Sequence, residues 1–246
     1  MLVIAHRGAS AAAPENTPEA FELADRLGAD GVELDVRWWA PTARPPRLVV
    51  AHDPLPDDPE HVDSLPDLHD VLDACGSRML VNVEIKNGDA SGPIDPSMAA
   101  VGATVQALRD RAADRGDRWL ISSFSPETVG HLRRTAPEFP TALLVEGLDV
   151  ATIDSAARAG HQAIHPDVEA SSSELVRHGH DLGLMVTAWT CNDADRIVEL
   201  ATWGVDAVCT DVPDVALSSL GRTGAARQPD PRWPWRSRTR AQDRPQ

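Results

Sequence analysis

The chain has 246 residues, a net charge of −15 and three cysteines. This length fits one α/β domain, though two small ones are also possible, and the acidic surplus argues against a nucleic-acid partner. No run approaches the roughly 18 apolar residues of a membrane span and no export signal opens the chain. Cys75, Cys191 and Cys209 lack CxxC spacing, so they suit a reducing cytoplasm and offer no zinc site.

The charge is uneven. Residues 222–246 hold seven Arg against two Asp. This Pro- and Arg-rich tail has no apolar period and is expected to be disordered, with the folded domain at residues 1–221.

In chain order, Leu2-Val3-Ile4-Ala5 reads as a buried strand that ends in His6-Arg7-Gly8. Thr17 as N-cap and Pro18 at the first helical position start a helix that buries Ala20, Phe21 and Ala24 and closes at Gly28. Residues 31–36 form the second strand. Its side chains alternate, placing Val32, Leu34 and Val36 on one face and Glu33 and Asp35 on the other. A wet acidic face would explain that pattern. If the face points inward instead, two like charges repel unless a cation lies between them.

The apolar run at residues 48–51 follows too soon for a parallel crossover, and Pro41, Pro45 and Pro46 exclude a helix between them. An antiparallel hairpin folded near Ala43, pairing residues whose numbers sum to about 87, brings His52 beside Asp35. Residues 54–64 read as an acidic loop and residues 65–74 as a helix. The strand at residues 79–86 then puts Asn82, Glu84 and Lys86 on one face, Lys86 being the sole lysine of the chain. Helices at about 97–115, 126–134, 150–158, 172–181 and 193–202 alternate with strands at 119–123, 141–145, 162–165, 184–189 and 206–210, before a short closing helix.

Setting the returning hairpin strand aside leaves eight staves, the arithmetic of a (β/α)8 barrel. A doubly wound open sheet is the rival, but no glycine-rich phosphate loop occurs. In such a barrel chemistry gathers at the C-terminal ends of the strands. There lie His6, Arg7, Glu33, Asp35, Glu84, Lys86, Phe124, His165, Trp189, Thr210 and Asp211, with His52 supplied by the hairpin. Three carboxylates suit a hard divalent cation, Mg2+ or Ca2+. Arg7 and Lys86 invite an anion such as phosphate, and His6 with His52 can share one proton cycle, which together describe phosphodiester cleavage. Asp53 either orients His52 or opens the acidic loop. Trp189 and Phe124 either stack on the organic part of a substrate or belong to the core.

The ordered set His6-Arg7-Gly8, Pro14-Glu15-Asn16-Thr17, Glu33-Leu34-Asp35, His52-Asp53, Glu84-Ile85-Lys86, Ser123-Phe124, Trp189-Thr190 and Thr210-Asp211 with Pro213-Asp214 resembles the glycerophosphodiester phosphodiesterases over roughly residues 3–217. That family lies in the phospholipase C-like phosphodiesterase superfamily. The resemblance implies a TIM barrel that hydrolyses a glycerophosphodiester to glycerol 3-phosphate and an alcohol with a divalent metal. It makes His6 and His52 the acid/base pair, Glu33, Asp35 and Glu84 the metal ligands, and Arg7 and Lys86 phosphate contacts; Trp189 is a substrate contact by its strand-end position alone. Residues 38–46 and the loop after Asp53 depart from the family pattern and overhang the site. Trp38 and Trp39 there also admit a lysophospholipid substrate, and a catalytically silent phosphate-ester-binding barrel is the alternative from another class.

Overall fold

The computed structural model describes residues 1–88, 94–111 and 118–222. Among these residues nine strands form one sheet: β1 (Leu2–Ala5), β2 (Gly31–Trp39), β3 (Arg47–Val50), β4 (Leu80–Ile85), β5 (Trp119–Ser123), β6 (Thr141–Val145), β7 (Ala163–Pro166), β8 (Met185–Ala188) and β9 (Ala207–Thr210). The spatial order is β1-β9-β8-β7-β6-β5-β4-β2-β3, and pairing of β1 with β2 closes the ring. Of these nine strands β3 alone is antiparallel, hanging on β2 outside the closed parallel barrel.

The helices α1 (Pro18–Leu27), α2 (Pro59–Ser64), α3 (Leu68–Ala74), α4 (Ala99–Asp110), α5 (Pro126–Thr135), α6 (Val150–Arg158), α7 (Ser173–Asp181), α8 (Ala194–Thr202) and α9 (Pro213–Ser219) lie between the strands. α1 begins and ends where its sequence dictates: Thr17 accepts from the Ala20 amide, and Gly28 closes it in the left-handed region. The acidic loop expected at residues 54–64 contains α2 instead. Asp58 as N-cap and Pro59 at the first helical position overcome its poor apolar content. The next helix starts at Leu68, because Pro66 precedes it and Asp67 caps it. α4 is shorter than expected at both ends, and residues 112–117 lie outside the described residues.

Two packing regions follow from strand alternation. Val32, Leu34, Val36, Val81, Val83 and Ile85 face the helices, with Phe21, Leu68 and Leu72 in the same cluster. Inside the barrel, Leu80, Leu120, Ala163, Met185 and Ala207 form an apolar plug with Ile4 above it. Gly31 has no side chain for a physical reason: a Cβ there would stand 2.6 Å from the Leu80 carbonyl oxygen and 3.0 Å from Ile4. The interior changes character above the plug. Glu33, Asn82, Ser122, His165 and Thr187 follow two residues later on their strands, which returns each to the inner face.

The expected tail lies outside the described residues from position 223 onward. Arg222 itself docks on the barrel, both terminal nitrogens 2.7 Å from the carboxylate of Asp30. Asp30 also accepts from the Val3 amide at 2.8 Å, so this contact joins the chain's end to the β1–β2 seam.

Candidate active site

Parallel register sets Asp35 of β2 directly beside Glu84 of β4. Glu33, Asp35 and Glu84 are all buried, pointing into the barrel, and one oxygen from each lies within 4.8 Å of the others. The wet-face explanation of the E-x-D strand therefore does not hold. Two cations partly balance these carboxylates. Lys86 Nζ stands 3.1 Å from Asp35 Oδ1 and 2.5 Å from Glu84 Oε1, and Arg7 Nε lies 3.2 Å from Asp35 Oδ2.

Two cations against three acids leave one carboxylate poorly compensated, and burial decides which. Burial, with the charges of Asp35 and Glu84, pushes the Glu33 carboxyl well above its ordinary pKa. Burial pushes Asp35 up as well, but Lys86, Arg7 and a hydrogen bond from Asn16 outweigh it and hold Asp35 low. Burial lowers Lys86, yet Glu84 and Asp35 raise it further, so it remains charged. Glu33 takes a hydrogen bond from the Arg7 amide on Oε2 at 3.1 Å, whereas its buried Oε1 has no partner among the described residues. An unpartnered carboxylate oxygen beside two further oxygens fits a hard divalent cation.

Both histidines predicted from sequence line the same cavity as Glu33, Glu84 and Lys86. His6 Nδ1 is 2.7 Å from Asp211 Oδ1, which leaves Nε2 as its free ring nitrogen. Asp211 also accepts from Ser10 at 3.0 Å and Asn192 at 2.7 Å. The hydrogen bond from His6 is the largest cause of the fall in the Asp211 pKa to about 2, and Asn192 adds to it.

His52 reaches the cavity by a different route from the one expected. The hairpin pairs Val36 with Val50, so residue numbers sum to 86 and Ala51, not His52, donates to the Asp35 carbonyl. The loop at residues 40–46 is long enough to permit that one-residue slip, and β3 ends before His52, where alternation no longer aims the side chain. Arg37 anchors the backbone there, donating from Nε to the His52 carbonyl oxygen at 3.0 Å. Asp53 is not merely loop: its carboxylate sits 2.9 Å from His52 Nδ1.

Trp189 donates its indole N–H to the His165 carbonyl at 2.8 Å and meets Phe124 edge-on, ring centres 5.3 Å apart, so both belong to the cavity wall. Asn16 stands in the Pro14-Glu15-Asn16-Thr17 motif, but sequence reasoning assigned it no role. Its carboxamide donates to Asp35 Oδ2 at 2.9 Å and accepts from the Asp35 amide at 3.2 Å, in a left-handed backbone conformation that asparagine tolerates. Its place just ahead of a helix cap gave it a local explanation that hid this one.

The profile of the glycerophosphoryl diester phosphodiesterase family matches residues 6–57 and 47–215. The chain belongs to this family. A glycerophosphodiester phosphodiesterase of Caldanaerobacter subterraneus is 29% identical over 252 residues, covering 91% of this chain and 99% of that one. The crystal structure of a glycerophosphodiester phosphodiesterase from Agrobacterium tumefaciens superposes with a TM-score of 0.68 at 27% identity, over 89% of this chain and 99% of that chain. An Oleispira antarctica phosphodiesterase in complex with its product sn-glycerol-3-phosphate shares the barrel, with a TM-score of 0.76 at 22% identity over 90% and 97% of the two chains. The family is one of hydrolases, and this member is an enzyme with a closed parallel barrel, as the sequence predicted.

Proposed function

We propose that the chain is a divalent-cation-dependent phosphodiesterase that splits glycerophosphodiesters into glycerol 3-phosphate and an alcohol. The convergence of Glu33, Asp35 and Glu84, with an unpartnered oxygen on Glu33, carries this reading. Those three carboxylates would hold Mg2+ or Ca2+. When bound, the cation offsets the negative charge of the phosphodiester and polarises its phosphorus–oxygen bonds.

The chain's own residues do the rest. Arg7 and Lys86 add fixed positive charge on either side of the acids and orient the phosphodiester oxygens. One of His6 and His52 takes the proton of the attacking oxygen, and the other returns a proton to the departing alkoxide. Asp211 and Asp53 hold the Nδ1 atoms, which fixes the orientation of each ring. Trp189 and Phe124 narrow the mouth around the organic part of the substrate. Cys75, Cys191 and Cys209 are buried and form no disulfide, which supports a cytoplasmic setting.

Release of glycerol 3-phosphate from sn-glycero-3-phosphoethanolamine in Mg2+ or Ca2+ tests this function. His6→Ala and His52→Ala should each lower turnover by about 10² or more with the melting temperature kept. Near-full rates in either would remove its role, and tight binding without turnover in the parent chain would favour the silent barrel.

A lysophospholipid is the second reading, because a groove of about 630 Å3 lined by Trp38, Trp39 and Leu55 adjoins the site through Lys86 and Gly88. The guanidinium groups of Arg44 and Arg47 stand 5.9 and 5.6 Å from the Trp39 ring centre, which favours a short polar diester over an acyl chain. Rates on short glycerophosphodiesters and on lysolipids separate the two.

A further inference from the structure

The groove of about 630 Å3 shares Lys86 and Gly88 with the cavity that holds the carboxylates, so it begins where the phosphodiester is bound and runs outward. One wall is the β2–β3 hairpin, with Trp38 and Trp39, and the other is the loop after Asp53, with Leu55 between Pro54 and Pro56. Both segments depart from the family pattern, so what the groove selects is set by residues particular to this chain. The prolines fix their backbone φ angles, which shapes that wall before any ligand enters.

The cationic and amide donors that line the groove are turned to other partners. Arg37 donates to the His52 carbonyl, and Lys86 stands between Glu84 and Asp35. Asn87 donates to Thr128 Oγ1 at 3.1 Å and accepts from the Asp95 amide at 2.7 Å. Two carboxylates remain, Asp57 and Asp95, with no cation paired to them among the described residues. Asp57 is exposed, and Asp95 accepts only locally, from the amide and hydroxyl of Ser97. Arg44 and Arg47 lie against Trp39 outside the groove lining, where Asp63 and Asp67 pair with them.

The groove thus presents indole surface and uncompensated negative charge, next to a site in which three acids already outnumber Arg7 and Lys86. Its occupant must be short, partly apolar and positively charged. An acyl chain brings no charge, and an anionic alcohol would meet two carboxylates. An ammonium group carried on a short alcohol satisfies all three conditions, since indole rings and carboxylates both attract it.

We infer that this groove seats the departing alcohol of the diester and favours one that bears an ammonium group, with Trp38, Trp39, Asp57 and Asp95 as the specificity-determining residues. The assignment rests on the phosphodiesterase reading above and names the alcohol that reading leaves open.

The test compares sn-glycero-3-phosphocholine with the matching 3,3-dimethylbutyl diester, which has the same shape without the positive charge. With Mg2+ or Ca2+ present, the KM of the parent enzyme should be lower for the choline diester by about fivefold or more, the scale of a cation–aromatic contact joined to a partly screened carboxylate. Asp57→Asn should shrink that ratio by about two- to threefold. It leaves the helix cap in place, because Asp58 and not Asp57 caps α2. Adding Asp95→Asn, which still accepts from Ser97, should remove most of the remainder, with the loss in KM and not in kcat. Equal KM values in the parent enzyme, a preference for the uncharged diester, or an unchanged ratio in the double variant would overturn the subsite while leaving the phosphodiesterase reading intact. Cleavage of neither diester would overturn both.

Discussion

Asp211 belongs to the site through what it does to another residue. It lies just past the end of β9, accepts from Ser10 and Asn192, and keeps its negative charge next to His6 Nδ1. Asp211→Asn should therefore lower kcat roughly tenfold or more, part of the 10²–10⁴ that a positioned acid or base contributes, with little change in KM. The same residue predicts an acid limb in stability. Its folded pKa of about 2 lies below the unfolded value of about 3.9. Its contribution is thus complete above about pH 4 and is lost as the pH falls towards 2. Denaturation followed over that window should show a smaller loss of stability in Asp211→Asn than in the parent chain. The sequence put Asp211 at a strand end without a role, because nothing local joins it to a histidine 205 positions earlier.

At the scale of elements, the β2–β3 hairpin matters most, because it carries His52 to a barrel formed by other strands. Alternation in β2 and β4 was readable in advance: Glu33, Asp35 and Glu84 share the inner face, as their spacing requires. The hairpin register was not, since a loop of this length fixes pairing only loosely and a shift of one residue leaves the apolar pattern of Leu48, Val49 and Val50 nearly intact. What replaces register is Arg37 on the His52 carbonyl. Arg37→Met should keep the barrel folded and lower kcat by about tenfold, because the ring is displaced without being removed. Equal turnover in that variant would mean that the hairpin holds His52 without help.

At the scale of the whole molecule, closure of the barrel gathers distant segments into one mouth, and counting staves along the chain sufficed to foresee it. The polar level inside was less legible. Asn82, His165 and Thr187 each fit an ordinary strand, and only closure reveals that they share a cavity. Arg222 was assigned to the tail because its charge matches the residues after it, whereas its contact with Asp30 ties it to the barrel. Arg222→Ala should cost about 1–3 kcal/mol by removing hydrogen bonds from a buried carboxylate, read as a fall in melting temperature of about 2–4 °C for each kcal/mol. An unchanged melting temperature would show that β1 and β2 close without it.

The central claim is that three inward carboxylates act through a divalent cation. It is tested most directly by the initial rate of glycerol 3-phosphate release from sn-glycero-3-phosphoethanolamine, measured after chelator treatment and again after adding Mg2+ or Ca2+. The rate should fall to background and return with the cation in the parent enzyme, but not in Glu84→Gln. A rate indifferent to chelation would contradict the account.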